Sequence, residues 1–335
     1  MKRAALAGVA LLAVAACAAT ASAGGESIVV YNGQHQELAQ ALIDAFEKQT
    51  GIQVHVRSND GVVLADQLLQ EGSHSPADVY ITENSPELMY LQEHGLLATL
   101  PKSLVAQVPA GDRSPAGQWL GIAQRVSSLA YDPSEVPKAK LPASIMDLAK
   151  PQWKGKVAVS PLDSDFPPIV GAVIASKGQK AAADWLAGLK RNARVYQDEE
   201  AVVAAVDRGD VATGIVNQYY WYRLRLEQGA QRTKSRLWFF KGKDPGSVVN
   251  VSGAAVLESS DHRAAAEKFL AFLVSPAGQR VISRGDDFEY PVRPGIAPNA
   301  ALPPFDKVPH TTFSVVKLGD DREAAQLIAQ TGFGA

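Results

Sequence analysis

Tyr219 and Tyr220 are adjacent and follow an apolar run at residues 211–216, so their phenol oxygens could act as a pair of anionic ligands at a strand end. Phenol ionises near ~10 and serves most divalent ions poorly at neutral pH. A hard, highly charged cation such as Fe(III) can displace the phenolic protons and hold two phenolates. Neighbours on a regular helix point about 100° apart, so the pair could meet one ion at a strand-to-helix turn and not in the middle of a helix. Two other segments place polar groups where strands should end: Tyr31-Asn32-Gly33-Gln34-His35 and Thr82-Glu83-Asn84. The His35 imidazole and the Glu83 carboxylate, added to two phenolates, would neutralise Fe(III). Each residue also has an ordinary reading. A histidine after a strand is commonly a loop or cap residue, a glutamate entering a helix near Pro86 is favoured by the helix dipole, and an aromatic run is commonly core.

The elements that must position these groups read as alternating strands and helices. Ile28-Val29-Val30-Tyr31 is a β-branched run closed by the Asn32-Gly33 turn signal. Leu38, Ala41, Leu42, Ala45 and Phe46 then recur at helical spacing up to a C-cap at Gly51, and Ile52, Val54 and Val56 alternate as a strand. A helix-length crossover between strands predicts parallel pairing. The logic repeats with Leu64 and Leu68 on a helix, a buried strand at 77–81 and a helix from near Pro86 to Gly95. A second unit begins with a strand at 157–160. It continues with a helix face of Ala181, Ala182, Trp185, Leu186 and Leu189, an extended Val195-Tyr196, a helix at 202–206 and the strand at 211–216. Strands at 237–240 and 253–257 and helices carrying Ala265, Phe269 and Phe272 follow. Extended crossings near 125–131 and 247–252 would join two α/β units and leave a cleft at the strand ends.

The chain has 335 residues, 46% hydrophobic and 20% charged, which suits two globular domains. Lys2-Arg3, an apolar run at 4–19 and Ala21-Ser22-Ala23 match a secretory leader, placing the mature start at Gly24. Without Lys2 and Arg3 the net charge falls from -2 to about -4, which favours neither nucleic acid nor anionic lipid as a partner. Cys17, the one cysteine, sits in a lipobox-like Val14-Ala15-Ala16-Cys17, so a lipoprotein is the alternative to a free protein; either way the mature body has no disulfide. After the leader no stretch reaches the ~18 apolar residues of a membrane helix. His55, His74, His94, His262 and His310 lack paired ligand spacing and read as surface residues.

Several ordered segments resemble the periplasmic ferric-ion-binding proteins, the bacterial transferrin-like branch of the periplasmic binding proteins. They include Val29-Val30-Tyr31-Asn32-Gly33-Gln34-His35, Pro76-Ala77-Asp78-Val79, Thr82-Glu83, Trp153-Lys154-Gly155-Lys156, Asn217 with Tyr219-Tyr220-Trp221-Tyr222, Lys234-Ser235-Arg236-Leu237, Asp244-Pro245-Gly246 and Ser252-Gly253-Ala254-Ala255-Val256-Leu257. The resemblance covers nearly the whole mature chain. It implies a two-lobed type II periplasmic-binding fold, with a hinge and an interlobe cleft. Lobe 1 would be 24–127 plus about 250–302, and lobe 2 would be 128–249 plus about 303–335. It also implies Fe(III) ligation by His35, Glu83, Tyr219 and Tyr220, and delivery of iron by a periplasmic monomer to an ABC permease and its ATPase. The two tyrosines would sit on one lobe while His35 and Glu83 close on them from the other.

The family completes the octahedron with an exogenous anion, commonly phosphate. Asn217 keeps one of its seats and Asn84 stands where Gln is usual, but Asp163-Ser164-Asp165 and Glu199 put carboxylates where uncharged groups belong. Like charges oppose phosphate. One of these carboxylates, or water or carbonate near Arg125, is the expected replacement. Arg125 matches a family arginine near the cleft and is otherwise a hinge-region ion-pair residue. The alternative function is the same fold binding a polyamine, thiamine or a phosphonate, with the tyrosines as a stacking box. That would leave His35 and Glu83 without a task. A non-haem iron enzyme would show two histidines and a carboxylate, and the sequence offers one ligand-like histidine and no nucleophile elbow, P-loop or Rossmann glycines.

Overall fold

The computed structural model describes residues 26–311 and 315–334; the leader expected at 1–23, with Cys17, lies outside the described residues. Alternation sorts the first sheet. Strand β1 (Ser27–Gly33), helix α1 (Gln36–Thr50), strand β2 (Gln53–Ser58), helix α2 (Gly61–Glu71), strand β3 (Val79–Thr82) and helix α3 (Ser85–Glu93) follow in chain order. β1 pairs in parallel with both β2 and β3, as the crossovers predict. Gly51 ends α1 in the left-handed region at φ 76°, with its N–H on the Glu47 carbonyl. A short α4 (Lys102–Val105) leads to β4 (Leu120–Tyr131), whose twelve residues are all buried.

The second unit runs through β5 (Val157–Val159), α5 (Phe166–Lys177), α6 (Gln179–Asn192), β6 (Ala193–Val195), α7 (Glu199–Arg208), β7 (Thr213–Asn217), α8 (Gln218–Gln228) and β8 (Arg236–Trp238). The chain returns through β9 (Val249–Val256) and closes with α9 (Arg263–Leu273), α10 (Pro276–Arg284), β10 (Tyr290–Pro291) and α11 (Arg322–Thr331). The sheet order is β2-β1-β3-β9-β4-β7-β5-β6, with β8 and β10 also on β4.

The two expected crossings are strands. β4 pairs β9 through Leu120 to Val126 and then β7 through Ser127 to Tyr131, so one continuous strand spans both units. β9 likewise pairs β3 at one end and β4 at the other. Both are fully buried, because helices cover both faces of the sheet.

Side-chain period sets two cores. Ile28 and Val30 of β1, Val79 and Ile81 of β3, and Ala254 and Val256 of β9 face α1, α9 and α10, where Phe46 meets Phe269 at 4.9 Å. Tyr31, Tyr80 and Ala255, on the opposite face, join a larger cluster that continues through β4, β5, β7, α5 and α6. Among the described residues no helix is long and apolar enough to cross a membrane.

Candidate metal centre

Strand ends converge on one cleft. β1 delivers His35, β3 delivers Glu83 and β7 runs straight into α8, whose first turn holds Tyr219 and Tyr220. His35 Nε2 lies 3.0 Å from the Tyr219 hydroxyl and His35 Nδ1 lies 3.3 Å from Glu83 Oε1. The tyrosine rings are 4.1 Å apart between centroids at 32°. Their convergence is that of long side chains at a helix start: both reach back past the N-terminus, where no preceding turn separates them. The four residues expected as ligands are therefore together.

A carboxylate stands against the phenols. Asp165 Oδ2 accepts from Tyr219 at 3.0 Å and from Tyr220 at 3.4 Å, while its Oδ1 accepts from Arg125 Nη2 at 2.9 Å. Both members of the Arg125–Asp165 pair are fully buried. Arg125 also donates to the Glu83 carbonyl, to Ser252 Oγ at 2.9 Å and to Asn84 Oδ1 at 2.6 Å. Burial alone would raise the Asp165 carboxyl, but the charge and hydrogen bonds of Arg125 hold it below the ordinary carboxylate range.

The surrounding groups move the other way. Burial, then the Asp165 charge, pushes Tyr219, Tyr220 and Glu83 well above their usual values. Burial, helped by the Arg223 charge, lowers His35 to about 4, so its ring is neutral at pH 7. One proton assignment serves every short contact: Glu83 shares its proton with His35 Nδ1, His35 Nε2–H points to the Tyr219 oxygen, and the Tyr219 O–H donates to Asp165. A cation bound here would replace those protons.

The remaining expected residues fall into distinct places. Asp163 Oδ1 accepts the Asp165 N–H at 3.0 Å and its Oδ2 the Glu199 N–H at 3.0 Å, and burial raises it to about 7. Glu199 Oε2 accepts the Asn217 N–H at 2.5 Å, clamping the β7–α8 junction, and burial with the Asp165 charge raises it well above the usual range. Asn217 Oδ1 accepts from Ser127 Oγ at 3.3 Å. Asn84 accepts from Asn250 as well as from Arg125. Ser164 lines the cleft, about 450 Å³ in volume, beside His35, Glu37, Asp60 and Glu83.

Three contributors escaped the sequence reading as site residues. Gln34 accepts the His35 N–H at 2.7 Å and donates to Ser252 at 2.8 Å and Glu289 at 3.1 Å, fixing the histidine backbone. Glu289 is buried, is raised by burial to about 7 and accepts from Ser252 at 2.8 Å. Gln34 and Ser252 lie in the quoted segments; nothing in the sequence marks Glu289.

Trp221, whose Nε1 donates to Ser235 Oγ at 3.1 Å, and Tyr222, tilted 5.7 Å from Phe288, pack behind the pair. His55, His74, His94 and His262 are exposed, but His310 is half-buried and stacks 4.6 Å from Phe305. Among the described residues no group of three or more His, Cys, Asp and Glu is arranged to hold a metal.

Residues 74–310 match the family described as bacterial extracellular solute-binding protein. The chain is similar to the Fe(3+)-binding periplasmic protein of Serratia marcescens, 38% identical over 327 residues, covering 97% of this chain and 96% of that protein. It is also similar to the major ferric iron-binding protein of Neisseria meningitidis serogroup B, 37% identical over 328 residues, covering 96% of this chain and 97% of the other. The crystal structure of iron-bound HitA from Pseudomonas aeruginosa superposes with a TM-score of 0.87 at 40% identity, covering 92% of this chain and 99% of that one.

Proposed function

Because the chain belongs to the bacterial extracellular solute-binding proteins, in their ferric-ion-binding group, we propose that it captures Fe(III) in the periplasm through His35, Glu83, Tyr219 and Tyr220 and delivers it to an ABC permease and its ATPase. Its fold is the two-lobed type II periplasmic-binding fold of those relatives, and it is a binder and not an enzyme. The observation that carries the ferric reading is the convergence of two phenols, one carboxyl and one neutral imidazole: His35 lies 3.0 Å from Tyr219 and 3.3 Å from Glu83, and Tyr220 shares Asp165 Oδ2 with Tyr219 at 3.4 Å. Two phenolates and a carboxylate balance Fe(III), and hard oxygen donors suit it.

Asp165 serves as the internal anion. Its Oδ2 already receives both phenol protons, and it turns to the ion when those protons leave. Arg125 answers its charge, so ligands and cargo together are neutral. Phosphate would find Arg125 already held by Asp165 and would face Glu83, Asp163, Glu199 and Glu289. Lobe 1 is 24–127 with about 250–302 and lobe 2 the remainder, the two exchanging chain through β4 and β9. The secreted form begins near Gly24 as a free monomer, or at Cys17 as a tethered lipoprotein.

Ferric citrate titration in buffer free of phosphate and carbonate tests this. The protein should develop the visible phenolate-to-iron band with no added anion. Tyr220→Phe should remove most of the colour and weaken binding by at least ~100-fold, the upper range for disturbing a metal ligand's support. Asp165→Asn should make loading depend on added bicarbonate or phosphate. A colourless wild-type protein would end the ferric reading, and a strict phosphate requirement would end the role given to Asp165.

A further inference from the structure

A second cavity, about 300 Å³ in volume, lies between α2, α3, the start of α5 and the start of α11. Its walls are mostly aliphatic, from Val62, Ala65, Pro86, Pro167 and Ala325. At its base sits Glu87, 7% exposed, whose Oε2 has no hydrogen-bond partner. Asp321 borders the same space with an unpartnered buried Oδ1 and a left-handed φ of 58° at the start of α11. Buried carboxyl oxygens without partners are costly, and nothing else described here uses these two.

The charges at the rim favour a cation. Asp66 and Asp320 also line the cavity, and its one positive group, Arg322, is already answered by Asp320 and by Glu93 at 3.1 Å and lies over the Tyr90 ring at 5.6 Å. A hard metal ion would want six or more oxygens, and the aliphatic walls offer none. We propose that this cavity binds a short aliphatic ammonium ion, with its charged head on the Glu87 carboxyl and its chain along Val62, Ala65, Pro86 and Pro167. Ser164 borders both this cavity and the ferric cleft, so the two are neighbours, but the ammonium site uses none of the four residues proposed to hold iron.

Proton release follows. With no cation beside it, burial raises Glu87 to about 8; Asp60, Asp165, Tyr80 and Asp321 face it with like charge when ionised, and Arg125 opposes them. An ammonium head restores the carboxylate, so below about 8 binding expels a proton and affinity rises with pH, levelling above that value.

Isothermal titration of the mature chain with 1,4-diaminobutane tests the site, with butan-1-ol as the uncharged comparator. Expected are one saturable site for the diamine, none for the alcohol, and a heat that varies with buffer ionisation enthalpy. Glu87→Gln, checked for native circular dichroism, should weaken binding at least ~10-fold. Val62→Trp, at an exposed position on the rim, should block it without touching a carboxyl. Absence of saturation to about 10 mM, where binding is negligible, overturns the proposal, as does unchanged affinity in both variants.

Discussion

At the scale of single residues, the ferric site is a set of protons waiting to be exchanged. Tyr219, Tyr220 and Glu83 all sit well above their usual pKa, first through burial and then through the Asp165 charge. His35, lowered to about 4 by burial and the Arg223 charge, has no extra proton to lose at neutral pH. Iron binding must therefore expel about three protons, and affinity must rise with pH and collapse on acidification. The slope of log affinity against pH between 6 and 7.5, expected near ~3, checks this; a slope near zero would mean that the phenols do not ligate. The convergence of His35, Glu83, Tyr219 and Tyr220, the four proposed ligands, was legible because each follows a strand in a short polar segment. Gln34 and Glu289 were not, since their contacts join residues 218 and 255 apart in sequence, a closeness that only the folded sheet creates.

At the scale of elements, the start of α8 is held by neighbours that the sequence suggested for another task. Glu199, read as part of an acidic anion seat, accepts the Asn217 N–H at 2.5 Å from the first turn of α7. Glu199→Gln, which keeps an acceptor, should retain iron binding, whereas Glu199→Leu should weaken it about 10- to 100-fold by freeing the β7–α8 turn. Equal titration curves for the two variants would remove that positioning role. The closeness of α7 to β7 depends on Gly214, where an added Cβ would stand 2.4 Å from Val202 Cγ1 and 3.1 Å from Val206 Cγ2. Gly214→Ala should therefore cost ~1–3 kcal/mol in urea unfolding, the usual penalty for overpacking. Period-2 and period-3.6 patterns revealed most elements. Helix α5 escaped because Phe166-Pro167-Pro168-Ile169-Val170 begins a helix with seven of twelve residues buried, which shows no polar stripe. β4 was only half seen, as a crossing, because a strand covered on both faces has no alternation to read.

At the scale of the whole molecule, closure is where the residues and elements meet. β4 passes through both units and the chain returns to the first at the start of β9, so hinge bending must be absorbed along these two buried strands and their flanks. Arg125, near the middle of β4, holds the Glu83 carbonyl on one side and the Asp165 carboxylate on the other. Opening would uncover this pair and let water replace its contacts, while closing packs five carboxyls, buried at Asp165, Glu199 and Glu289 and half-buried at Glu83 and Asp163, around the Arg125 guanidinium. Without a cation that burial is opposed by desolvation and like-charge repulsion; with Fe(III) it is neutralised. The ion thus favours the closed state by its differential affinity alone. Small-angle scattering should show a larger radius of gyration for iron-free protein than for iron-loaded protein, whose profile should match the closed structure. Tyr219→Phe/Tyr220→Phe should keep the larger radius at all iron concentrations, because closure then leaves the charges unbalanced. Identical profiles with and without iron would mean that the molecule is closed throughout, and that iron must enter through the cleft beside His35 and Ser164 rather than between moving lobes.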